Sequence, residues 1–111
     1  TYLARRFGSI PSTIELREVD ARTLPFEDHS FDCVFAILML HHVEERHSEY
    51  RQRPTVLREI RRVLALGGTF VYSDFSHIGN LRRTLSELGF TCLLEYRRWP
   101  HRELAVLRSP R

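Results

Sequence analysis

The 111-residue sequence predicts an α/β fold: a mostly parallel sheet with helices on its faces and an antiparallel pair of strands at its C-terminal end. Three observations predict it. Short apolar segments alternate with segments of helical spacing, the pattern left by strand–helix–strand crossovers. One segment, residues 31–37, is apolar almost throughout, as a strand buried on both faces of a parallel sheet reads. The last two strands are joined by a connector too short for a crossover, so they run as antiparallel neighbours.

Taken in order, residues 1–7 read as the last turns of a helix stopped by Gly8. Pro11 and Ser12 break the chain. Residues 13–19 alternate Ile14 and Leu16 with charge and end on Val19, which predicts a strand. Asp20 to Ser30 is polar, contains Pro25 and reads as a loop. Phe31 to Ile37 is the second strand. His41 to Arg53 is polar and irregular with some helical tendency. Pro54 suits the first position of a helix, and Val56, Leu57, Ile60, Val63 and Leu64 follow at helical spacing. Gly67 and Gly68 end that helix. They form a turn and not a phosphate loop, because no Lys-Ser/Thr follows them. Residues 69–73 are a strand and Asp74 to Gly79 a loop. Leu81, Leu85 and Leu88 mark a helix stopped by Gly89. Residues 91–96 and 103–108 are the final strands, joined through Trp99, Pro100 and His101. No linker or repeat divides the chain, so residues 1–111 read as part of one domain.

Composition narrows the function. With 42% hydrophobic and 28% charged residues, the chain is neither collagen-like nor intrinsically disordered. Its longest apolar run, residues 33–40, is far shorter than the roughly 20 residues a membrane span needs. No basic-then-apolar leader marks it for secretion. Thr1 in place of Met suggests a processed product or a fragment. Cys33 and Cys92 show no CxxC or Cys/His zinc spacing, and read as reduced, packed thiols of a cytoplasmic protein. Formal net charge is +3, and all 17 basic residues are Arg. The Arg pairs at 5–6, 61–62, 82–83 and 97–98 are spread along the chain. A nucleic-acid footprint clusters on one face, so these read as solvated helix faces and nucleic acid is not an expected partner.

In open sheets of this kind ligands bind beyond the carboxyl ends of the strands. That directs attention to Asp20 and Ala21, to residues 36–42 and to residues 74–77. Three stretches there and nearby are informative: Val19-Asp-Ala-Arg-Thr-Leu-Pro-Phe26, Ser30-Phe-Asp-Cys-Val-Phe-Ala-Ile-Leu-Met-Leu-His-His-Val43, and Leu57-Arg-Glu-Ile-Arg-Arg-Val-Leu-Ala-Leu-Gly-Gly-Thr-Phe-Val71. In order and spacing they resemble the second half of class I S-adenosylmethionine-dependent methyltransferases, in the branch acting on small molecules and lipids or quinones. Ser86-Glu-Leu-Gly-Phe90 is similar to that family's entry to its sixth strand. The resemblance implies a partial Rossmann-like methyltransferase fold, with S-adenosyl-L-methionine as cofactor and a small-molecule or lipid-like acceptor methylated on O, N or C.

By that resemblance, Asp20 is the acid that accepts a hydrogen bond from the adenine amine, and Ala21 offers a backbone N–H to the ring. A bare Asp at such a place closes a turn equally well. The resemblance also puts Ala36 near the methionine part of the cofactor and Leu38 beside the adenine. A small side chain at 36 lets backbone approach a ligand. His41 and His42 bound the pocket, where a histidine serves packing or takes a substrate proton. Asp74 and His77 stand where family members place substrate-facing groups. No residue is assigned as a catalytic base, and no metal site is expected, because His47 beside His41 and His42 fits no standard ligand spacing.

The family's acidic-x-Gly-x-Gly-x-Gly loop does not occur in this sequence, nor do the strands that flank it. The family's sheet order is 3-2-1-4-5-7-6. Without strands 1 and 2, residues 13–19 are orphaned and one apolar edge of residues 31–37 is open. The expected consequences are self-association, direct pairing of the first two strands, or marginal stability, together with weak or absent cofactor binding by this chain alone. Beside the methyltransferase reading stands a second: a non-enzymatic remnant that persists as a scaffold or interaction subunit.

Overall fold

A computed structural model describes residues 8, 9, 11–37, 52–75, 81–98 and 102–111. Its elements are β1 (Phe31–Ile37), α1 (Gln52–Val63), β2 (Leu64–Phe75), α2 (Leu81–Glu87), β3 (Thr91–Arg98) and β4 (Arg102–Arg108). They form a four-stranded sheet in the order β1-β2-β4-β3. β1 and β2 are parallel, and β4 lies antiparallel between β2 and β3. This is the 4-5-7-6 part of the order that the resemblance implies. The helix predicted at residues 1–7 and the 99–101 connector lie outside the described residues.

The strand registers sort the side chains into two faces. Val34, Phe70, Leu107 and Cys92 form one row across the sheet, and Ala36, Tyr72, Ala105 and Glu95 the next. The core sits on this face, where Phe70, Tyr72, Ala105 and Leu107 pack with Val56, Leu57 and Ile60 of α1 and Leu81 and Leu85 of α2. Strands place alternate residues on opposite faces, so the other face carries Phe35, Val71, Val106 and Leu94, then Ile37, Ser73, Leu104 and Tyr96. There Phe35 is 65% exposed, and Ile37, Leu94 and Tyr96 are open too. Among the described residues, β1 is therefore covered on one face only, where its composition predicted two.

The apolar stripe of α1 behaves as its spacing predicts: Val56, Leu57, Ile60 and Val63 are all buried. The helix is not ended by Gly67 and Gly68. The chain passes from Val63 straight into β2, and the glycines fall within that strand, where its register against β1 jumps. Gly67 takes φ 72° and donates its N–H to Pro110 O. A Cβ on Gly68 would stand 2.9 Å from Ala65 O and 3.0 Å from Asp32 O. The doubled glycine thus serves a crowded bend inside a strand, and helix-stop chemistry cannot tell the two apart. α2 ends as predicted. Phe90 N–H donates to Leu85 O, Gly89 N–H to Ser86 O, and Gly89 takes φ 92°. That pairing is the Schellman stop, with Phe90 and Leu85 joining the core.

Two further expectations change. Residues 14–20 join no sheet, and Ile14, Leu16 and Val19 are each more than 40% exposed. An alternating segment becomes a strand only when a neighbour takes its hydrogen bonds, and β1 does not pair with it. Cys33 and Cys92 are free and exposed, not packed. Cys33 stands on the open face of β1, and Cys92 on the edge strand β3.

Candidate active site

The segment from Asp20 to Ser30 leads into β1 without a ladder to hold it. It is held by turns and by side chains instead. Thr23 N–H donates to Asp20 O at 3.0 Å, and Arg22 N–H to Asp20 Oδ1 at 2.9 Å. The Arg22 guanidinium folds back on the same carboxylate, with Nε 3.0 Å from Oδ1 and Nη2 2.7 Å from Oδ2. These hydrogen bonds hold the exposed Asp20 carboxyl down at about 2, against an ordinary 3.8. Asp20 is therefore ionised at neutral pH and keeps solvent-facing lone pairs for a further donor.

Beyond this turn the loop is tied to α1. Leu24 N–H donates to Glu59 Oε2 at 2.6 Å, and Arg62 Nη2 donates to Leu24 O at 2.9 Å. Arg62 Nη1 reaches Phe26 O and Asp28 Oδ1, both at 2.8 Å. The Arg62 fork holds the Glu59 carboxyl below its usual range, helped by Leu24 N–H. His29 takes φ 57°, unusual outside glycine, and is fixed by its N–H on Arg62 O and by Nδ1 against Leu64 O.

The loop, α1 and β1 line an open hollow of about 370 Å³ that also reaches Cys33 and Phe35. Ala21, Leu24 and Phe26 line it from the loop, Val34 and Ala36 from β1, and Val56 and Ile60 from α1. Its walls are carbon, with small residues at 21 and 36. Asp20 directly precedes Ala21 in the chain, and its carboxylate is exposed to solvent. The structure thus brings Ala21 and Ala36 to one cavity, with Asp20 beside it. Leu38, His41, His42 and His77 lie outside the described residues.

Asp74 is described and is not in a loop. It belongs to β2, is fully buried, and faces Glu103 of β4 across the ladder. Around Glu103 lies a polar network that the sequence did not suggest. Tyr72 Oη donates to Glu103 Oε1 at 2.7 Å, and Arg82 pairs with Glu95 at 2.7 Å and Glu103 at 3.5 Å. Burial first, then the Glu103 carboxylate, pushes the Tyr72 hydroxyl above its usual range. The Glu59–Arg62 pair was also missed. Its three-residue spacing on a helix was the available signal, but it reads equally as a solvated ion pair.

Among the described residues no cluster of three or more His, Cys, Asp or Glu could hold a metal, and no helix is long and apolar enough to cross a membrane.

Comparison with known proteins agrees with this architecture. A solved [4+2]-cyclase, SpnF, superposes with a TM-score of 0.75 at 19% identity, over 98% of this chain and 60% of its own. The Burkholderia thailandensis 1,6-didemethyltoxoflavin-N1-methyltransferase, solved with its substrate and S-adenosylhomocysteine, gives 0.74 at 21% identity, over 99% and 56%. These likenesses show the fold. In sequence, a probable phthiotriol/phenolphthiotriol dimycocerosates methyltransferase of Mycobacterium ulcerans is 47% identical over 55 residues, half of this chain and 19% of that protein. The chain thus matches about a fifth of that curated relative's length. The family model described as a methyltransferase domain matches residues 2–72, the stretch that carries the Asp20 turn, β1, α1 and most of β2. On that match, the chain belongs to the methyltransferase domain family.

Proposed function

We propose that residues 1–111 are the C-terminal part of one class I methyltransferase domain, transferring a methyl group from S-adenosylmethionine to O, N or C of a small-molecule or lipid-like acceptor in the cytoplasm. The observation that carries this reading is the convergence of Ala21 and Ala36, from segments distant in sequence, on one apolar cavity beside an ionised Asp20. The name of the Mycobacterium ulcerans relative, a probable phthiotriol/phenolphthiotriol dimycocerosates methyltransferase, supports the acceptor class.

S-adenosylmethionine, when bound, supplies a methyl group on a sulfonium leaving group. What this chain supplies is binding and exclusion of water. By the family resemblance, Asp20 accepts from the adenine amine, Ala21 offers its N–H to the ring, Ala36 lies near the methionine part of the cofactor and Leu38 borders the adenine. His41, His42 and His77 bound the acceptor side, as the family pattern places them. Asp74, expected beside them, lies buried within β2 opposite Glu103. Methyl transfer to a well-placed nucleophile depends mostly on orientation, so a site without a dedicated base is chemically sufficient for an acidic acceptor.

The family's glycine-rich loop does not occur within residues 1–111, so weak cofactor binding is expected of these residues alone. Titration of the chain with S-adenosylhomocysteine, followed by amide NMR, is expected to shift Ala21 and Ala36 with a Kd no tighter than about millimolar. Micromolar binding would overturn the half-pocket reading. Saturating ligand with no shift at either amide would overturn the cofactor site.

A further inference from the structure

We infer that Glu59 and Arg62 form a positioning pair for the Asp20–Ala21 turn; the consequence for the cofactor rests on the function proposed above. The reason lies in what the segment before β1 lacks. Residues 14–30 are in no ladder, yet they present the turn that faces the cavity. A segment without strand neighbours must find partners for its backbone elsewhere.

Glu59 and Arg62 supply them. At Leu24 the Glu59 carboxylate accepts the N–H at 2.6 Å, and Arg62 donates to the C=O at 2.9 Å. Together they do for Leu24 what a neighbouring strand does: one acceptor and one donor on the same residue. Two residues on, Arg62 Nη1 holds Phe26 O, and two further on it holds Asp28 Oδ1. The guanidinium is itself aligned by Glu59, through Nε at 2.7 Å and Nη2 at 3.0 Å. Arg62 O then takes His29 N–H at 2.8 Å. A single residue thus anchors positions 24, 26, 28 and 29.

Leu24 directly follows the turn closed by Thr23 N–H on Asp20 O. Where Leu24 is held, Ala21 and Asp20 are held. The pair stands on the helix whose Val56, Ile60 and Val63 form the opposite wall of the cavity. It therefore fixes the distance between the turn and the wall it faces. The planar fork holds four residues at once, Leu24, Phe26, Asp28 and Glu59; a lysine ammonium at the same place has three donors on a flexible stem and cannot hold all four.

The test uses the whole chain with Arg62→Ala, Arg62→Lys and Glu59→Gln, read by residue-resolved amide exchange and by S-adenosylhomocysteine titration. Arg62→Ala is expected to speed exchange of the Leu24 amide at least about tenfold, while β3 and β4 amides keep their wild-type rates. It should weaken S-adenosylhomocysteine at least about tenfold. Arg62→Lys should recover part of both effects, and Glu59→Gln should fall between them. Unchanged Leu24 exchange would overturn the pairing, as would wild-type affinity in Arg62→Ala. Faster exchange spread evenly over the chain would make Arg62 a global stability residue and overturn it too. If the wild-type chain protects Leu24 but shows no shift with the ligand, the cofactor reading fails instead, and with it the functional half of this inference.

Discussion

The two faces of the sheet are written in similar residues and meet opposite fates. On one, Phe70 and Tyr72 are fully buried under α1 and α2. On the other, Phe35, Ile37, Leu94 and Tyr96 are each more than half exposed. Apolar content is not the difference. The covered face is matched to helices that follow its own strands in sequence, α1 returning Val56, Leu57 and Ile60 to the sheet and α2 Leu81 and Leu85. The open face has no such partner among the described residues. Apolar patterning shows which side chains can be buried; the presence of a facing layer decides which are.

The sharpest way to break this comparison is to truncate one aromatic on each face. Phe70→Ala removes a ring packed 5.9 Å from Tyr72 and 5.8 Å from Phe90. It is expected to cost about 3–5 kcal/mol, read from the urea midpoint, because it leaves a cavity in a closed core. Phe35→Ala, on a ring 65% exposed, should change stability by about 0.5 kcal/mol or less. Comparable losses at both positions would show that the open face is covered in solution.

That outcome connects to association. β1 is an edge strand, and its exposed row continues across Val71, Val106 and Leu94. Contiguous apolar surface beside an unpaired edge favours contact between copies. The chain is therefore expected to show a concentration-dependent sedimentation coefficient. Phe35→Arg, which puts a charge in the middle of the row, should weaken that association at least about tenfold. Equal association by the variant would place the contact elsewhere.

The same contrast explains what could be read from the sequence. Both described helices, β1, β3 and β4 were legible because their spacing is local and their partners lie within the chain. Residues 13–19 have the alternation of a strand and did not become one, because pairing is a property of two segments. Asp74 reads as a loop residue by its type, but it is a buried position of β2, opposite Glu103. At the site, Asp20 and Ala21 were visible as a pair at the end of an expected strand. The arginines that organise them were not. Arg22 and Arg62 belong to a chain whose 17 basic residues are all Arg and spread throughout, so residue type alone does not single out two of them. Only the fold does, by bringing Arg62 to a loop more than thirty positions away.

The smallest expected effect separates two electrostatic environments along the same division. On the covered face, Tyr72 is shifted first by burial. On the exposed turn, Asp20 is shifted first by the Arg22 side chain, with a pKa of about 2 in place of 3.8. Since the folded value lies below the ordinary one, the stabilising contribution is present above pH 3.8 and fades as pH falls through about 2. Arg22→Gln should raise the Asp20 carboxyl toward 3.8, followed by carboxylate NMR, and should not move Tyr72. An Asp20 value unchanged by that substitution would mean that backbone donors of the turn hold the charge. Arg22 would then be free to move aside for a ligand at no electrostatic cost to the acid.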